Sequence, residues 1–431
     1  MNADRMDQIV ALLEPEVQQF AGDLDGLEGQ VERVVRQIGR GVIQRVVAHH
    51  RNGYVGSRQA CPCGRRQQFK GYRPKTVVTL FGAIRLRRGY YRCPQCGASS
   101  LPYDRASGLD DGALSNRLAS AISLVAVDIS FQKACVKIEK LLGVKVDDNT
   151  ALAAVQKAGA QALSRQQQAI EQFQRSGQLN EPTEPPKRLY LSSDGGMAPI
   201  RPQPTGEAGD SIQWREVKCA AAWWESGGGE HQQRYAARIE PAETFGWKWW
   251  LLAAECGLRQ AEQVVVIGDG AAWIWKLAER FFGRAVQILD WYHAVEHLWE
   301  CSEQLYGPGH PDAARWSDQM KTVLWEGGGS ALLERLRGFG RRRREPCDAL
   351  AELIGYVESN VSRMAYPAYR AAGLQIGSGP VESTCKQLVT ARLKQSGMRW
   401  TADGAEQTLA LRCCWLNGQW DSFWQSKPLA A

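Results

Sequence analysis

Residues 188–196 read RLYLSSDGG, and residues 263–270 read QVVVIGDG. Each stretch is a short apolar run that fits a buried β-strand, and each run leads into an aspartate followed by glycine. These aspartates are Asp194 and Asp269. The two stretches therefore predict two buried strands, each ending at a carboxylate.

The segments between these runs indicate how the two strands are arranged. Residues 217–224 and 234–239 are strand-like, and residues 244–256 form an apolar helical run. Three strands, a helix and a strand ending in aspartate is the opening order of the RNase H-like fold. In that order the first strand is central and pairs with the fourth, so both aspartates lie at one edge of the sheet, where open α/β sheets place their sites.

A third carboxylate, Glu382, follows the glycine-containing stretch GSGPV at 377–381. Pro380 can start a helix, which we expect to run through Lys394. Two carboxylates held close together repel each other unless a cation lies between them, and Mg²⁺ prefers such oxygen ligands. We therefore expect Asp194, Asp269 and Glu382 to be catalytic and to hold Mg²⁺ or Mn²⁺.

Four of the twelve cysteines form two matched knuckles, each followed by glycine: Cys61, Cys63, Cys93 and Cys96. Four thiolates satisfy tetrahedral Zn²⁺, and a closed four-sulfur site is structural. The strand-like residues between the knuckles, with a turn at 81–83, predict a β-hairpin. Together these features predict a zinc ribbon. Free buried thiols are the alternative interpretation.

Basic and aromatic residues alternate around the knuckles. Arg85, Arg87 and Arg88 are candidates for phosphate contact, since basic residues neutralise phosphates and aromatic rings stack on bases. A solvated charged face is the plainer interpretation of the same pattern.

Helical periodicity dominates the remaining N-terminal sequence. Residues 6–47 predict two helices, which either pair with a second subunit or pack on the next domain. Residues 131–142 and 150–163 predict a helix-turn-helix pair whose second helix is capped by Asn149 or Asp148. In that arrangement Gln156 and Lys157 are candidate groove contacts, although short helical hairpins also occur in proteins that never bind DNA.

Length and composition limit the class of protein to which the chain can belong. Its 431 residues predict several domains, and 53 Lys+Arg against 46 Asp+Glu fit a polyanionic partner without requiring one. No secretory signal or membrane-length apolar run is visible, so we expect a cytoplasmic protein. We predict a multidomain α/β and α protein, divided as follows: 1–56, N-terminal helices; 57–105, zinc ribbon; 106–180, helix-turn-helix-like region; 181–300, RNase H-like catalytic domain, first part; 301–370, α-helical insertion; 371–431, catalytic domain, second part.

The quoted motifs resemble ISKra-type insertion-sequence transposases. The similarity is carried by SDGG at 193–196, GDGAAWIW at 268–275, ILDWYHAVEHL at 288–298, residues 377–386, GMRW at 397–400 and Asn417-Gly418. The resemblance implies a DDE transposase related to the Mutator-like class, which acts on the terminal inverted repeats of its own element. It gives Asp194, Asp269 and Glu382 the catalytic roles; Gly196 stands where the first motif often has threonine.

The same resemblance assigns further residues. Asp290 and His293 match an accessory C/DxxH motif after the fifth strand, which we expect to shape the site or contact DNA. Further candidates for DNA contact lie in the insertion and beside the catalytic helix: Arg341, Arg342, Arg343, Arg344, Arg392, Lys394, Arg399 and Trp400. The expected partners are double-stranded DNA, as element ends and target, and a second copy of the chain in a homodimer or larger assembly.

Two other functions remain open from the sequence. One is a DNA-binding regulator that has lost catalysis. The other is a zinc metallopeptidase, because His293, Glu296 and His297 fit the pattern H-x-x-E-H.

Overall fold

A computed structural model describes residues 3–18, 23–49, 53–109, 112–179, 181–202, 212–342 and 347–425. The chain is mixed α/β and divides into two compact units, residues 1–157 with 421–431, and residues 158–420. Within the described ranges, no helix combines the length and apolar character needed to cross a membrane.

The first unit holds a four-stranded antiparallel sheet between helices. Its elements are α1 (Ala3–Gln18), α2 (Leu24–His49), β1 (Arg58–Ala60), β2 (Arg66–Thr79), β3 (Gly82–Arg92), β4 (Ser99–Ser100), α3 (Pro102–Ser107), α4 (Asn116–Ala126), α5 (Phe131–Leu142) and the start of α6 (Asp148–Ser176). The strands lie in the order β1-β2-β3-β4. The two predicted N-terminal helices and the predicted hairpin are present, although the hairpin turn lies at 80–81 rather than at 81–83.

Alternation along β3 explains how this sheet builds its core. Ile84 and Leu86 are buried, while Arg85 and Arg87 between them are exposed, as expected for the period of two along a strand. The buried pair packs with Val77 of β2. Ile43 and Val47 of α2 cover this cluster.

The helical pair α5–α6 is present, but the N-cap prediction was wrong. The carboxylate of Asp147, rather than Asp148 or Asn149, accepts hydrogen bonds from the amide and the hydroxyl of Thr150, at 2.9 and 2.6 Å. These bonds satisfy one of the free amides of the first turn of α6. The second helix is also much longer than predicted, since α6 continues to Ser176.

The second unit is built on a five-stranded sheet flanked by helices. After α6 come β5 (Arg188–Ile200), β6 (Gln213–Glu225), β7 (His231–Arg238), α7 (Ala242–Glu255), β8 (Gln263–Gly268), α8 (Ala272–Phe281), β9 (Val286–Leu289), α9 (Trp291–Tyr306), α10 (Pro311–Arg342), α11 (Asp348–Asn360), α12 (Tyr366–Ala371), α13 (Gly379–Cys385), α14 (Ala391–Leu393), α15 (Ala402–Leu416) and α16 (Trp420–Trp424), the last of which crosses the unit boundary. A π-helical turn, Lys386–Thr390, joins α13 to α14.

Strand β5 is central in this sheet, whose order is β7-β6-β5-β8-β9. It pairs antiparallel with β6 and parallel with β8, and β8 pairs parallel with β9. The predicted pairing of the first and fourth strands is therefore present. The predicted end of the first strand at Asp194 was wrong: β5 continues to Ile200, because its antiparallel ladder with β6 runs on beyond its parallel ladder with β8.

Large aromatic side chains fill the core of the second unit. Trp249 and Phe245 of α7 are fully buried, and Trp223 of β6 is buried where it stacks on Tyr190 of β5. At the edge strand β7, the Asn417 side chain accepts from the Tyr235 amide at 2.8 Å and donates to the Tyr235 carbonyl at 3.0 Å. Asn417 thereby satisfies backbone groups that an edge strand would otherwise leave unpaired.

Candidate functional site

Asp194 and Asp269 lie at the same level along the two adjacent parallel strands β5 and β8. The last register pair between β5 and β8 is Ser192 with Ile267. Asp194 and Asp269 each lie two residues beyond that pair, so the sheet itself sets them side by side. Asp194 remains within β5, whereas Asp269 begins the turn into α8.

Each aspartate is fixed locally by a backbone amide. The Asp194 carboxylate accepts from the amide of Gly195 at 2.6 Å, and the Asp269 carboxylate accepts from the amide of Ala271 at 2.8 Å. The Asp269 carbonyl also accepts from the Tyr356 hydroxyl at 3.0 Å. Gly270 has a φ of 105° and lies against the Tyr356 ring, so a side chain there would be both strained and crowded.

Burial and charge act together on Asp194. Desolvation raises the pKa of its carboxyl above the ordinary value, and the negative charge of Asp269 raises it further. A hydrogen bond from the Cys385 thiol and the charge of His293 oppose this rise in the pKa. The site is thus a partly buried pocket of like charge, in which a cation would be stabilised.

Residues 375–389 cross one face of β5. The Gln375 amide donates to the Tyr190 hydroxyl at 3.2 Å, Cys385 contacts Asp194, and Val389 lies against Gly196. Tyr190, Asp194 and Gly196 are even-numbered residues of one strand and share a face.

The helix α13, which contains Glu382, is part of this crossing segment. It contacts both β5 and β6. The structure thus brings the backbone of the Glu382 helix onto the strand that carries Asp194. The Glu382 side chain lies outside the described residues.

Asp290 anchors this crossing segment. It is 1% exposed, and its carboxylate accepts from two backbone amides, that of His293 at 3.0 Å and that of Ser378. The first bond caps α9, and the second holds the residue immediately before α13. Asp290 therefore connects the end of β9 to the start of the Glu382 helix, a role that sequence analysis did not identify.

His293, the other residue of the accessory motif, lies near the site, and the helix that carries it has two further histidine–carboxylate contacts. His293 is half-buried and near enough to Asp194 to affect its pKa. Its Nδ1 lies 3.5 Å from a carboxylate oxygen of Glu296, and Nδ1 of His297 lies 3.4 Å from a carboxylate oxygen of Glu300.

Sequence analysis also missed the thiols that line this pocket. Cys219 pairs with Asp194 across β5 and β6, and its thiol is hydrogen-bonded to that of Cys385. Both cysteines become recognisable as site neighbours only when the register of β6 and the position of α13 are known.

The four-cysteine cluster of the first unit has the geometry of a zinc site. The sulfur of Cys63 lies 3.4 Å from that of Cys61 and 3.7 Å from that of Cys93, and the Cys61 and Cys96 sulfurs are 3.6 Å apart. Tetrahedral zinc with bonds of about 2.3 Å requires sulfurs ~3.8 Å apart. The four thiols can therefore hold one zinc ion.

The backbone conformation of the two knuckles also fits a zinc site. Gly64 and Gly97 have φ values of 80° and 71°, and their amides donate to the carbonyls of Cys61 and Cys93. The tight turn that follows each second cysteine thus requires glycine. Hydrogen bonds from the amides of Cys96 and Gln95 lower the pKa of Cys93 to about 6, whereas desolvation and the neighbouring thiols, against the opposing amide of Cys63, raise the pKa of Cys61 to about 12.

Three of the residues predicted to contact DNA are unavailable, and those predictions were wrong. Arg88 is buried in an ion pair with Asp104. Arg392 is fully buried over the Trp400 ring, and the Trp400 indole donates to the Leu393 carbonyl at 3.1 Å. Each side chain has a partner inside the protein and is at most 7% exposed, which leaves little surface for phosphate or base.

The remaining candidates for DNA contact differ in how exposed their side chains are. Arg85, Arg87, Arg341, Arg342, Lys394 and Arg399 are exposed. Gln156 and Lys157 are half-buried, and Lys157 donates to the Gly108 carbonyl at 3.3 Å. Arg343 and Arg344 lie outside the described residues.

Comparison with known proteins relates the chain to a protein family. Residues 21–423 match the profile of an uncharacterised protein family, UPF0236. No curated protein matches the chain.

Replacing Cys63 with serine should abolish stoichiometric zinc binding, because three thiolates no longer close the tetrahedron. Metal analysis of purified protein should give about one zinc per wild-type chain and much less for Cys63→Ser. Cys347→Ser, at a cysteine remote from the knuckles in sequence and outside the cluster, is the matched control and should retain zinc. Equal zinc content in both variants would show that the cluster is not the metal site.

Removing the Asp290 carboxylate should release the start of α13. Asp290→Ala loses both amide contacts, so the Ser378 amide should exchange with deuterium faster and stability should fall by ~1–3 kcal/mol. Asp290→Asn retains one acceptor oxygen and should lie between wild type and alanine. Hydrogen exchange by mass spectrometry checks this; unchanged exchange across 374–380 in the alanine variant would contradict the anchoring role.

Proposed function

We propose that this chain, which belongs to the uncharacterised protein family UPF0236, is a DNA transposase of the ISKra type. It would bind the terminal inverted repeats of its insertion sequence and catalyse metal-dependent DNA cleavage and strand transfer. The observation that carries the proposal is the pair Asp194 and Asp269, which lie level with each other along the adjacent parallel strands β5 and β8, with the helix that contains Glu382 packed on β5.

The sheet order supports an RNase H-like catalytic domain. Three antiparallel strands, β5 to β7, are followed by α7 and then by β8, which returns to pair parallel with β5. This is the arrangement that the resemblance implies for a DDE transposase. The helices α10 to α12, between the His293 motif and Glu382, correspond to the expected insertion.

The charges at the site support a divalent metal. Asp194 and Asp269 are close enough for the charge of one to raise the pKa of the other, and a cation between them would remove that repulsion. Asp194, Asp269 and Glu382 are the residues that would hold it. When bound, Mg²⁺ or Mn²⁺ would activate the attacking water or 3′-hydroxyl and stabilise the leaving oxygen.

Asp290 and His293 have different roles in this proposal. Asp290 is a positioning residue, because its carboxylate accepts from two backbone amides that tie α9 to the start of α13. His293 lies beside Asp194 with a partly exposed ring, so it is the member of the accessory motif that can contact the DNA.

Exposed basic residues support contact with the DNA backbone. Arg85 and Arg87 alternate with buried residues on β3, the strand that leads into the second zinc knuckle, and so give this strand a basic exposed face. Lys394 and Arg399 are exposed shortly after the Glu382 helix, and Arg341 and Arg342 end α10. The α5–α6 pair is a helix-turn-helix candidate of the first unit, with Gln156 and Lys157 in its second helix.

The two other functions are less well supported. A zinc peptidase requires a third ligand beside His293 and His297, yet among the side chains the structure describes, only the four cysteines group as three or more metal ligands. A DNA-binding regulator that lacks catalysis would not need two carboxylates side by side in a partly buried site. We propose that the active protein works in the cytoplasm on chromosomal DNA, as a homo-oligomer.

Asp194→Asn should abolish cleavage of DNA carrying the inverted repeats from either side of the gene. With Mg²⁺ or Mn²⁺, the wild-type protein should leave new 3′-hydroxyl ends, and the variant should be slower by at least ~100-fold, since the lost metal contact contributes several kcal/mol. Asp269→Asn and Glu382→Gln should slow DNA cleavage to a similar extent. Glu225→Gln, at the far end of β6, is the matched control and should cleave normally.

Each competing function gives a different result in this assay. A regulator would bind the repeats in a gel shift without cutting them, and a peptidase would digest protein and leave DNA intact. Cleavage by wild type that persists in Asp194→Asn would refute the assigned site.

A further inference from the structure

Helix α2 presents two apolar faces, and the first unit covers one of them. Ile43 and Val47 pack on the core of the four-stranded sheet, and Gln44 bonds to the backbone of Arg85. The other face carries seven large apolar residues that are 38% to 69% exposed, here called the α2 stripe: Leu24, Leu27, Val31, Val35, Ile38, Val42 and Val46.

The α2 stripe is a continuous feature of the helix. Its members recur every three or four residues, close to the helical repeat of 3.6, and so form one line along the surface. Over 22 residues this line is ~33 Å long. Helix α1 contacts α2 but leaves the stripe exposed. Contiguous apolar surface of this length on a protein marks an interaction site.

Charge along α2 identifies what can cover the stripe. The first third of α2 carries Asp25, Glu28 and Glu32, the last of which pairs with Arg36 of the same helix, whereas the exposed Arg40 and Arg45 lie in the second half, which has no acidic residue. A second copy of α2 laid parallel would place acid beside acid and base beside base. An antiparallel copy would place the acidic half of each helix beside the basic half of the other.

We infer that the α2 stripe is a homodimer interface in which two copies of α2 pack antiparallel about a twofold axis near Val35. Such an interface is self-complementary, since one patch serves both partners. The apolar stripe supplies the buried area, and the opposed charges select the antiparallel orientation. The inference does not depend on the proposed enzymatic function.

Two variants with equal added charge test the stripe. Val35→Glu combined with Val42→Glu should convert the free protein from dimer to monomer in sedimentation velocity. Gln37→Glu combined with Ala48→Glu adds the same charge to exposed positions outside the stripe and should remain dimeric. Unchanged zinc content and circular dichroism would show that both variants fold. A monomeric wild type, or a stripe variant that stays dimeric, would overturn the inference.

Charge reversal tests the orientation. Asp25→Arg with Glu28→Arg makes the acidic start of the helix basic and should weaken dimerisation by at least ~10-fold. Adding Arg40→Glu and Arg45→Glu to that variant restores opposite charges between antiparallel partners and should restore the dimer. If the quadruple variant remains as weak as the double variant, the antiparallel arrangement is wrong.

Cysteine cross-linking gives an independent readout of orientation. Around a centre at Val35, position 28 of one copy faces position 42 of the other. Glu28→Cys mixed with Val42→Cys should therefore give a 28–42 cross-link with a short bismaleimide, identified by peptide mapping against the native cysteines. A 28–28 or 42–42 product of either variant alone would indicate a parallel pair and contradict the inference.

Discussion

The parallel ladder between β5 and β8 is the constraint around which the candidate site is organised, because it fixes Asp194 and Asp269 at one level. Desolvation raises the pKa of the Asp194 carboxyl, and the negative charge of Asp269 adds to that rise. Under the proposed function, a divalent cation bound between the two carboxylates would relieve their mutual repulsion.

The surrounding elements maintain that arrangement. Strand β5 is held on both sides, by β6 and by β8, so Asp194 cannot move away from Asp269 without breaking a ladder. Asp290 holds the segment before α13, and Tyr190 and Cys385 hold the segment across the face of β5. The π-helical turn after α13 is a distortion of a kind frequently found at functional sites.

Local patterns in the sequence predicted the strands, the hairpin and the cysteine cluster, because apolar periodicity and cysteine spacing depend only on residues that are close together in the sequence. The level placement of Asp194 and Asp269 also followed from element order. The motif marked Asp290, but its bond to the Ser378 amide could not be predicted, since the two residues are 88 positions apart. Arg88, Arg392 and Trp400 were misassigned to DNA for a similar reason: a basic or aromatic residue has the same local pattern whether it faces solvent or is buried with a distant partner.

The most direct test of the proposed metal site is a crystal structure of the chain soaked in Mn²⁺, with the metal located by its anomalous scattering. The account predicts density between the carboxylates of Asp194 and Asp269, with the carboxylate of Glu382 within coordination distance. Density at the four cysteines alone, or Glu382 turned away from occupied aspartates, would contradict it.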